Sequence, residues 1–246
     1  MDVAPINRQI PFSSIFNFRD IGGYTGLDGR TVRWQRLYRS DSLHRLDETD
    51  RNAFTALGVR TVIDLRRPRE IERFGRVHEY DGLTYRHIHP EHQDWDEVPY
   101  EERVGFAAWL AERYRDIATS GREGVAAAIE IIAAEEAAPV VVHCAAGKDR
   151  TGVVCALTLS LLGVDDTTIA EDYALSEAAS ERFSQWYHAR RPDARTMPAH
   201  YLAAPAEAML RFLSDLRERH GSVERYLLDV GVTPGAFTAL RTHLLN

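Results

Sequence analysis

Cys144 and Arg150 are the two residues of this sequence whose types and spacing could do chemistry together. Five residues, Ala-Ala-Gly-Lys-Asp, separate them, a length that lets the chain curl and bring both side chains to one bound group. A cysteine thiolate can attack phosphorus, and an arginine guanidinium can hold two phosphate oxygens at once. We therefore predict hydrolysis of a phosphate monoester through a phosphocysteine intermediate, with Cys144 as nucleophile and Arg150 as clamp.

The sequence around this pair predicts a strand, a loop and a helix in that order. The continuous run Val140-Val-Val-His is typical of a strand buried on both faces, and residues 151–162 are apolar almost all round, which indicates a buried helix. A helix N-terminus offers unpaired N–H groups and about half a positive charge, which attract phosphate and favour a thiolate. We call residues 144–150 the phosphate loop and predict these phosphate-binding residues: Ala145, Ala146, Gly147, Lys148, Asp149, Arg150 and Thr151.

Individual residues of this segment carry further predictions. Gly147 is expected to adopt a positive φ, and Thr151 to donate a hydrogen bond to the sulfur. Lys148 is the only lysine of the chain. Cys155 is expected to be a core residue on the helix, on the order of 16 Å from Cys144, too far for a disulfide. Both cysteines are therefore predicted to be free thiols.

The elements that position the phosphate loop alternate between strands and helices, which predicts an α/β fold. Asp47 is predicted to cap a helix, as is Thr233 before Pro234, and the chain is expected to be all helical beyond residue 165. Residues 90–99 are polar and aromatic without periodicity, and we expect a mobile loop there. The predicted strands are residues 31–38, 60–65, 84–88 and 140–143, and the predicted helices include residues 68–74, 100–119, 124–137 and 151–162.

The phosphate loop and several other segments resemble bacterial tyrosine phosphatases of broad specificity, which are related to phosphoinositide phosphatases. The loop signature of that branch, His-Cys-x-x-Gly-Lys-Asp-Arg-Thr-Gly, is matched by residues 143–152. The resemblance spans about residues 17–232, which favours one domain over two. Its other segments are NFRDIGG at 17–23, YRS at 38–40, VIDLR at 62–66, DY at 172–173, LS at 175–176 and GSVERYL at 221–227.

This resemblance implies a mainly parallel central sheet flanked by helices, with a C-terminal helical part covering the active site. It implies a single phosphatase domain over residues 1–246, with a helical lid at about 165–200, and catalysis without a metal or other cofactor. The implied partners are phosphorylated proteins or phosphoinositides. Lys148 resembles the loop lysines of lipid phosphatases, and its compact ammonium could contact a second phosphate or an inositol phosphate. Phosphotyrosine is the first expected substrate, with phosphoserine, phosphothreonine and phosphoinositides as further candidates.

The general acid is left open among four aspartates. The resemblance points to Asp149, inside the phosphate loop. Asp64 lies near the carboxyl end of a predicted strand, where ligands bind in open α/β sheets, and could instead orient Arg150 or the loop amides. Asp94 and Asp96 flank Trp95, which weakly resembles the Trp-Pro-Asp loop of other tyrosine phosphatases but lacks its proline.

Other polar residues could have either of two roles. Arg19 and Asp20 could brace the site or cap the N-terminal segment. His143 is expected to hydrogen-bond the phosphate loop rather than act as an acid or base. A cluster of His87, His89, Glu91 and His92 could suggest a metal, but alternation along a strand and loop solvation explain these residues better. We therefore predict no metal site.

Composition limits the partners and the location. The chain has 246 residues, 44% hydrophobic, with a net charge of −7, which argues against nucleic acid as a main partner. No apolar run approaches the roughly 20 residues of a membrane span, so no integral membrane contact is expected. Residues 1–12 lack the pattern of a secretory signal, which favours the cytoplasm, although secretion without a leader would leave no trace.

Two other functions compete with phosphate hydrolysis. A rhodanese-like sulfurtransferase also places a cysteine in a loop before a helix, but its loop is usually shorter and the Asp-Arg-Thr end fits phosphate better. A non-catalytic phosphate-binding pseudophosphatase usually lacks the cysteine or the arginine, and both are present here.

Overall fold

The computed structural model of the protein describes residues 7–193 and 199–246. Residues 1–6, part of the segment inspected for a secretory signal, lie outside the described residues. Residues 194–198, inside the predicted helical lid, lie outside them as well.

The described residues form one five-stranded sheet in the order β1-β2-β5-β3-β4. Only the short β1 runs antiparallel to its neighbour; β2, β3, β4 and β5 are mutually parallel. This confirms the mainly parallel α/β sheet. The strands are β1 Arg19–Asp20, β2 Leu37–Ser40, β3 Thr61–Asp64, β4 Thr84–His87 and β5 Val140–His143.

Strand β5 lies at the centre of the sheet and is buried on both faces, as its apolar run predicted. Val140 and Val142 belong to the larger hydrophobic core, while Val141 packs into the smaller core on the opposite face. Successive side chains of a strand point to opposite faces, so this run seals both cores. The carboxyl end of β5 is thereby fixed, and Cys144 follows it directly.

Helices surround the sheet, and most lie where the sequence predicted them. Side-chain caps form as expected: Asp47 accepts from the Asp50 amide, and Thr233 accepts from the Ala236 amide. The helices are α1 Glu48–Ala56, α2 Pro68–Phe74, α3 Phe106–Ser120, α4 Arg122–Ala133, α5 Asp149–Leu161, α6 Asp166–Ala174, α7 Ser176–Arg190, α8 Ala199–Leu202, α9 Ala206–His220, α10 Val223–Asp229 and α11 Pro234–Leu244.

Three predicted boundaries are wrong, each for a local reason. The strand expected at residues 31–38 begins only at Leu37, because Gln35 turns the chain with a φ of 60° and its amide bonds Asp20. The helix expected from residue 100 begins at Phe106, after Gly105 with a φ of 79°. The helix expected through residue 137 ends at Ala133, and a 3-10 turn follows.

The C-terminal helices cover the phosphate loop, as predicted. Helix α7 lines a groove of about 570 Å³ whose floor includes Ala145 and Ala146, and we call it the aromatic groove after its lining residues Phe74, Phe183, Trp186 and Tyr187. Tyr201 and Leu202, at the end of α8, also line it. Within the described residues, no helix combines the length and apolar character needed to cross a membrane.

Candidate active site

The phosphate loop leaves β5 at Cys144, whose residue is only 1% exposed, and enters α5 at Asp149. Gly147 has a φ of 66°, as predicted, and a Cβ at this position would lie 2.3 Å from the Ser40 carbonyl oxygen. Positive φ and this close approach to the end of β2 both exclude a larger residue. The tight curl of the loop therefore depends on Gly147.

The loop carbonyls are held by surrounding groups. The Ser42 amide donates to the Ala145 carbonyl at 3.2 Å, and the Asn17 side-chain amide donates to the Ala146 carbonyl at 2.9 Å. A guanidinium N–H of Arg39 donates to the Gly147 carbonyl at 2.8 Å. The amides of residues 145–151, by contrast, have no acceptor within the described part of the chain. A loop with bonded carbonyls and unpaired amides at a helix N-terminus is built to receive an anion.

Arg150 is held in place by Glu70, at the start of α2. The Glu70 carboxylate accepts hydrogen bonds from both Nη atoms, at 2.6 and 3.2 Å, and the Leu65 carbonyl accepts another from Nη1. A guanidinium has five N–H donors, so these bonds leave Nε–H and one Nη2–H for two oxygens of an anion. Glu70 thus fixes the fork of Arg150 without using the edge that a phosphate needs.

The guanidinium of Arg150 stays protonated, because its pKa is raised above the ordinary value. Burial lowers the pKa of the Arg150 guanidinium, but Cys144 and the Glu70 carboxylate outweigh burial and raise it overall. Glu70 is held in turn by the Arg67 amide at 2.7 Å, and its pKa is lowered: burial raises it, while Arg150 lowers it more. The site therefore contains a permanently charged clamp with a rigid support.

Asp149, the first residue of α5, faces a polar cavity of about 250 Å³ that Arg150 also lines. Its Oδ1 accepts a hydrogen bond from the Tyr114 hydroxyl at 2.8 Å, and that hydroxyl lies 2.5 Å from the hydroxyl of Tyr173. Burial, followed by the charge of Asp149, raises the pKa of Tyr114 well above its ordinary value. Tyr114 therefore stays a donor and orients Asp149 toward the cavity.

Asp64 lies at the end of β3 but is fully buried and faces Arg66 rather than Arg150. Its carboxylate accepts from Nε and Nη2 of Arg66 at 2.9 and 2.6 Å, and from the Tyr85 hydroxyl at 2.9 Å. Burial raises the pKa of Asp64, but His143 and the hydrogen bonds and charge of Arg66 lower it more, to well below the usual range. A carboxylate held ionised in this way has no proton to give near neutral pH.

Asp94 shares the polar cavity with Asp149, but two arginines hold its carboxylate. Arg67 lies 3.3 Å from it, and Arg69 is in direct contact. Burial raises the pKa of Asp94, yet the bond from Arg69 and the other contacts lower it overall. Asp96 is exposed and does not line the cavity. Asp149 lines the same cavity, and its hydrogen-bond donor there is the neutral Tyr114 hydroxyl rather than an arginine.

Lys148 is nearly fully buried and points toward the C-terminal helices. Its ammonium donates to the carbonyls of Tyr201 and Ala203 at 2.9 and 3.1 Å, and lies 3.7 Å from Asp149. On the far side, the Ala204 amide donates to Glu177 of α7 at 2.9 Å. The lysine thus joins the phosphate loop to the segment that walls the aromatic groove.

Arg19 and Asp20, which the sequence left as either braces of the site or caps of the N-terminal segment, have different roles. Arg19 braces the site: it pairs with Asp172 of α6 at 3.0 Å, and Asp172 pairs in turn with Arg39 at 2.6 Å. Because Arg39 also holds the Gly147 carbonyl, this buried triad supports the phosphate loop from below. Asp20 instead accepts from the amides of Gly22 and Gln35 and caps a turn.

We expect Asp172→Asn to lower the free energy of unfolding by about 3–5 kcal/mol, because it leaves two buried guanidinium groups without a counter-charge. Burial raises the pKa of Asp172, but the charges of Arg19 and Arg39 lower it more. The contribution of Asp172 to stability is therefore full above about pH 3.9, the pKa of the carboxyl in the unfolded chain, and is lost on acidification below that.

Urea denaturation measures the change in unfolding free energy caused by Asp172→Asn. Asp166→Asn, which breaks a half-exposed pair with Arg217, should cost under about 1 kcal/mol; an equal cost would contradict this view of the triad.

Two more predicted residues lie at the loop, and Cys155 lies further along α5. The Thr151 hydroxyl is buried and has no hydrogen-bond partner within the described residues, so its bond to the sulfur is not formed in this structure. His143 is buried, which lowers its pKa, and its Nδ1 lies 3.2 Å from the Cys144 carbonyl oxygen. Cys155 is fully buried in the core face of α5, and neither cysteine is in a disulfide.

The three histidines of the possible metal cluster contact different backbone groups. His87 contacts the Arg66 carbonyl, His89 approaches the Leu65 carbonyl, and His92 contacts the Gln93 carbonyl. Among residues 7–193 and 199–246, no three metal-ligating side chains converge.

The sequence predictions missed Glu70, Tyr114 and the structural roles of Arg39, Asp172 and Asn17. Three of them, Arg39, Asp172 and Asn17, lie in the segments that carry the family resemblance. Their place in those segments was the signal that could have identified them. Glu70 could also have been considered, because it lies in the first turn of a predicted helix that directly follows the strand of Asp64. Nothing in the sequence marks Tyr114, whose helix merely reads as amphipathic.

Comparisons with known proteins identify the family of the chain. The family model described as "Tyrosine phosphatase family" matches residues 10–246. "Triple specificity protein phosphatase PtpB" of Mycobacterium tuberculosis is 30% identical over an alignment of 289 residues that covers 97% of this chain and 99% of that protein. A "Tyrosine-protein phosphatase" of Nostoc commune is 28% identical over 218 residues, 84% of this chain and 73% of that protein. These matches support neither a sulfurtransferase nor a pseudophosphatase: the chain belongs to the tyrosine phosphatase family.

Proposed function

We propose that this chain hydrolyses phosphotyrosine and related phosphate monoesters through a phosphocysteine formed on Cys144. The observation that carries the proposal is the phosphate loop, in which bonded carbonyls leave the amides of residues 145–151 unpaired around Cys144. The guanidinium of Arg150, fixed by Glu70, supplies two more donors. Such preorganised donors stabilise the charge that develops on the transferring phosphoryl group.

In the first step, the Cys144 thiolate attacks phosphorus, an S–P bond forms and the P–O bond to the alcohol or phenol breaks. The leaving oxygen takes a proton from Asp149, which the Tyr114 hydroxyl orients from the other side. Arg150 and the loop amides hold the three remaining phosphoryl oxygens. In the second step, Asp149 accepts a proton from water, the resulting hydroxide attacks phosphorus, and the S–P bond breaks to release phosphate and the thiolate. The unpaired Thr151 hydroxyl fits the role of donor to the departing sulfur.

Hydrolysis of p-nitrophenyl phosphate in excess EDTA tests this function. We expect turnover by the wild-type chain, because every group in the two steps is a side chain or a backbone amide of the protein. Loss of all activity in EDTA, restored by a divalent metal, would contradict the proposal. Thiosulfate:cyanide transfer by the wild type in place of phosphate release would contradict it as well.

We expect Asp149→Asn to lower kcat/KM for phosphotyrosine by about 10²–10⁴-fold, the usual contribution of a general acid. The effect on kcat/KM for p-nitrophenyl phosphate should be much smaller, because nitrophenolate leaves without a proton. Steady-state kcat/KM for both substrates measures the difference, because it reports the first step, whereas kcat also contains the second step, in which Asp149 is the base for either substrate. Asp94→Asn is the matched control in the same cavity and should change both rates alike and little. If Asp94→Asn shows the leaving-group dependence and Asp149→Asn does not, the assignment of the acid is wrong.

Activity on phosphoinositides stays a prediction that depends on Lys148. In the structure its ammonium is bound to two carbonyls of the 201–203 segment, so contact with a second phosphate requires those bonds to break. We expect Lys148→Ala to lower the rate on a phosphoinositide more than the rate on phosphotyrosine. Equal rates of Lys148→Ala and wild type on phosphoinositides would remove this part of the proposal.

Two coarser predictions accompany this function. One is a single phosphatase domain over residues 1–246, which the family match over residues 10–246 supports, with a helical lid at about residues 165–200. The cytoplasmic location stays a prediction, which fractionation of cells that express the chain would test.

A further inference from the structure

The aromatic groove is larger than the phosphate loop requires. Its volume of about 570 Å³ lies within the range of pockets that bind whole organic ligands, whereas the phosphoryl group is held by the loop itself. Ala145 and Ala146 form part of its floor, and Glu70 lines both this groove and the polar cavity of Asp149 and Arg150. A substrate whose phosphate lies in the loop can therefore extend into the groove.

The walls of the groove present aromatic surface. On α7, Phe183 stacks against Trp186 with ring centroids 6.2 Å apart, and Phe16 packs against both from behind. On the opposite side Phe74 is 51% exposed and stacks on His44 at 5.6 Å. A large exposed aromatic ring at the edge of a concave site is typical of a binding surface for another ring.

The rim of the groove is positive although the whole chain has a net charge of −7. Arg190 lies over the Trp186 ring at 4.4 Å, Arg191 lies over the Tyr187 ring at 5.7 Å, and Arg73 belongs to the facing helix α2. No carboxylate forms a salt bridge with these three arginines in the part of the chain that the structure describes. The two acidic residues of the lining, Asp41 and Glu70, are already paired with Arg45 and Arg150.

From these observations we infer that the groove is a specificity subsite for acidic phosphotyrosine peptides. The inference rests on the proposed function and specifies its substrate class. The tyrosyl ring lies between the aromatic walls, and carboxylates of neighbouring residues contact Arg190 and Arg191. An inositol ring, which carries hydroxyl groups, fits mainly apolar walls less well, and Lys148, the cation best placed for a second ring phosphate, is engaged by Tyr201 and Ala203.

The test compares two phosphotyrosine peptides that differ only in flanking residues, aspartate and glutamate in one and asparagine and glutamine in the other. We expect the wild type to prefer the acidic peptide by about three- to tenfold in kcat/KM at low salt, as two partly exposed charge contacts would give. Raising the salt concentration should reduce the preference, because exposed charges are screened. A wild-type ratio near one would overturn the inference.

Variants identify the source of the preference. In Arg190→Gln/Arg191→Gln the ratio should fall to about one, and in Arg190→Lys/Arg191→Lys it should stay above that. The control Arg122→Gln/Arg219→Gln removes the same charge at exposed sites of α4 and α9 outside the groove lining, and should keep the wild-type ratio. A groove variant that keeps the ratio, or a control that loses it, would overturn the inference. Thermal melts of each variant verify folding.

Two more measurements separate the inference from its rivals. Vesicles that contain a phosphoinositide test a lipid surface as the occupant: a loss of lipid hydrolysis in Arg190→Gln/Arg191→Gln with an unchanged peptide ratio would overturn the inference in favour of lipid. Wild-type hydrolysis of p-nitrophenyl phosphate tests the proposed function itself. If that hydrolysis occurs while both peptides react equally, the subsite fails and the catalytic proposal stands.

Discussion

Cys144→Ser is expected to lower kcat for p-nitrophenyl phosphate by about 10⁴-fold or more, the scale seen when a covalent nucleophile is removed. A serine hydroxyl is a far weaker nucleophile than a thiolate at neutral pH. The loop amides and Arg150 are unchanged in this variant, so it should still bind phosphate. Stopped-assay kinetics and phosphate titration together measure the two effects.

Cys155→Ala is the matched control for this prediction. Cys155 lies on the same helix, α5, but is fully buried in the core. Burial raises the pKa of its thiol to about 11, so it is not a nucleophile near neutral pH. We expect Cys155→Ala to retain wild-type kcat. Substantial activity in Cys144→Ser, or loss of activity in Cys155→Ala with the fold intact, would contradict the assignment of the nucleophile.

Arg150→Lys is expected to lower kcat/KM by about 10²–10³-fold, because an ammonium cannot reproduce the two parallel N–H bonds of a guanidinium to phosphate. Glu70→Gln should lower it by about ten- to a hundredfold through the same arginine. The neutral amide holds the Nη1–Nη2 edge less firmly, so Arg150 no longer presents its other edge in one orientation. Glu70 is a positioning residue, and its effect should fall mainly on kcat.

Glu72→Gln provides the control for Glu70→Gln. It removes the same charge from the same helix, but Glu72 is exposed and does not line either cavity. We expect near wild-type kinetics from Glu72→Gln. In the Arg150→Lys background, Glu70→Gln should add little, since the group it positions is already gone. Full additivity of the two substitutions, or equal effects of Glu70→Gln and Glu72→Gln, would contradict the positioning role.

The sequence predicted the central geometry because that geometry is local. Strand β5, the phosphate loop and α5 are consecutive, and Val140, Gly147 and the apolar α5 residues each indicate their conformation through their own chemistry. Helix α2 and the caps at Asp47 and Thr233 were found for the same reason. The predicted boundaries were wrong where a contact distant in sequence decides the conformation. For example, Asp20 accepts a hydrogen bond from the Gln35 amide, and β2 begins only after this turn.

The supporting residues could not be predicted from spacing, since they come from separate parts of the chain. Glu70 is 80 positions from Arg150, and Asp172 is 153 positions from Arg19. Asp149 and Asp64 could not be ranked from the sequence, because both are aspartates near the ends of elements. The structure separates them: Arg66 and burial hold Asp64 inside, while Asp149 faces a cavity beside Tyr114.

The central claim is that a phosphocysteine forms on Cys144, and trapping it during turnover by rapid denaturation in detergent without acid, which would cleave the S–P bond, tests it most directly. Wild-type chain mixed with p-nitrophenyl phosphate would be quenched within the first turnovers, digested and mapped by mass spectrometry. We predict one phosphoryl group on the peptide that contains Cys144, and none on that peptide in Cys144→Ser. A wild-type chain that turns over without any phosphorylated peptide, or that carries the phosphoryl group on another residue, would contradict the account.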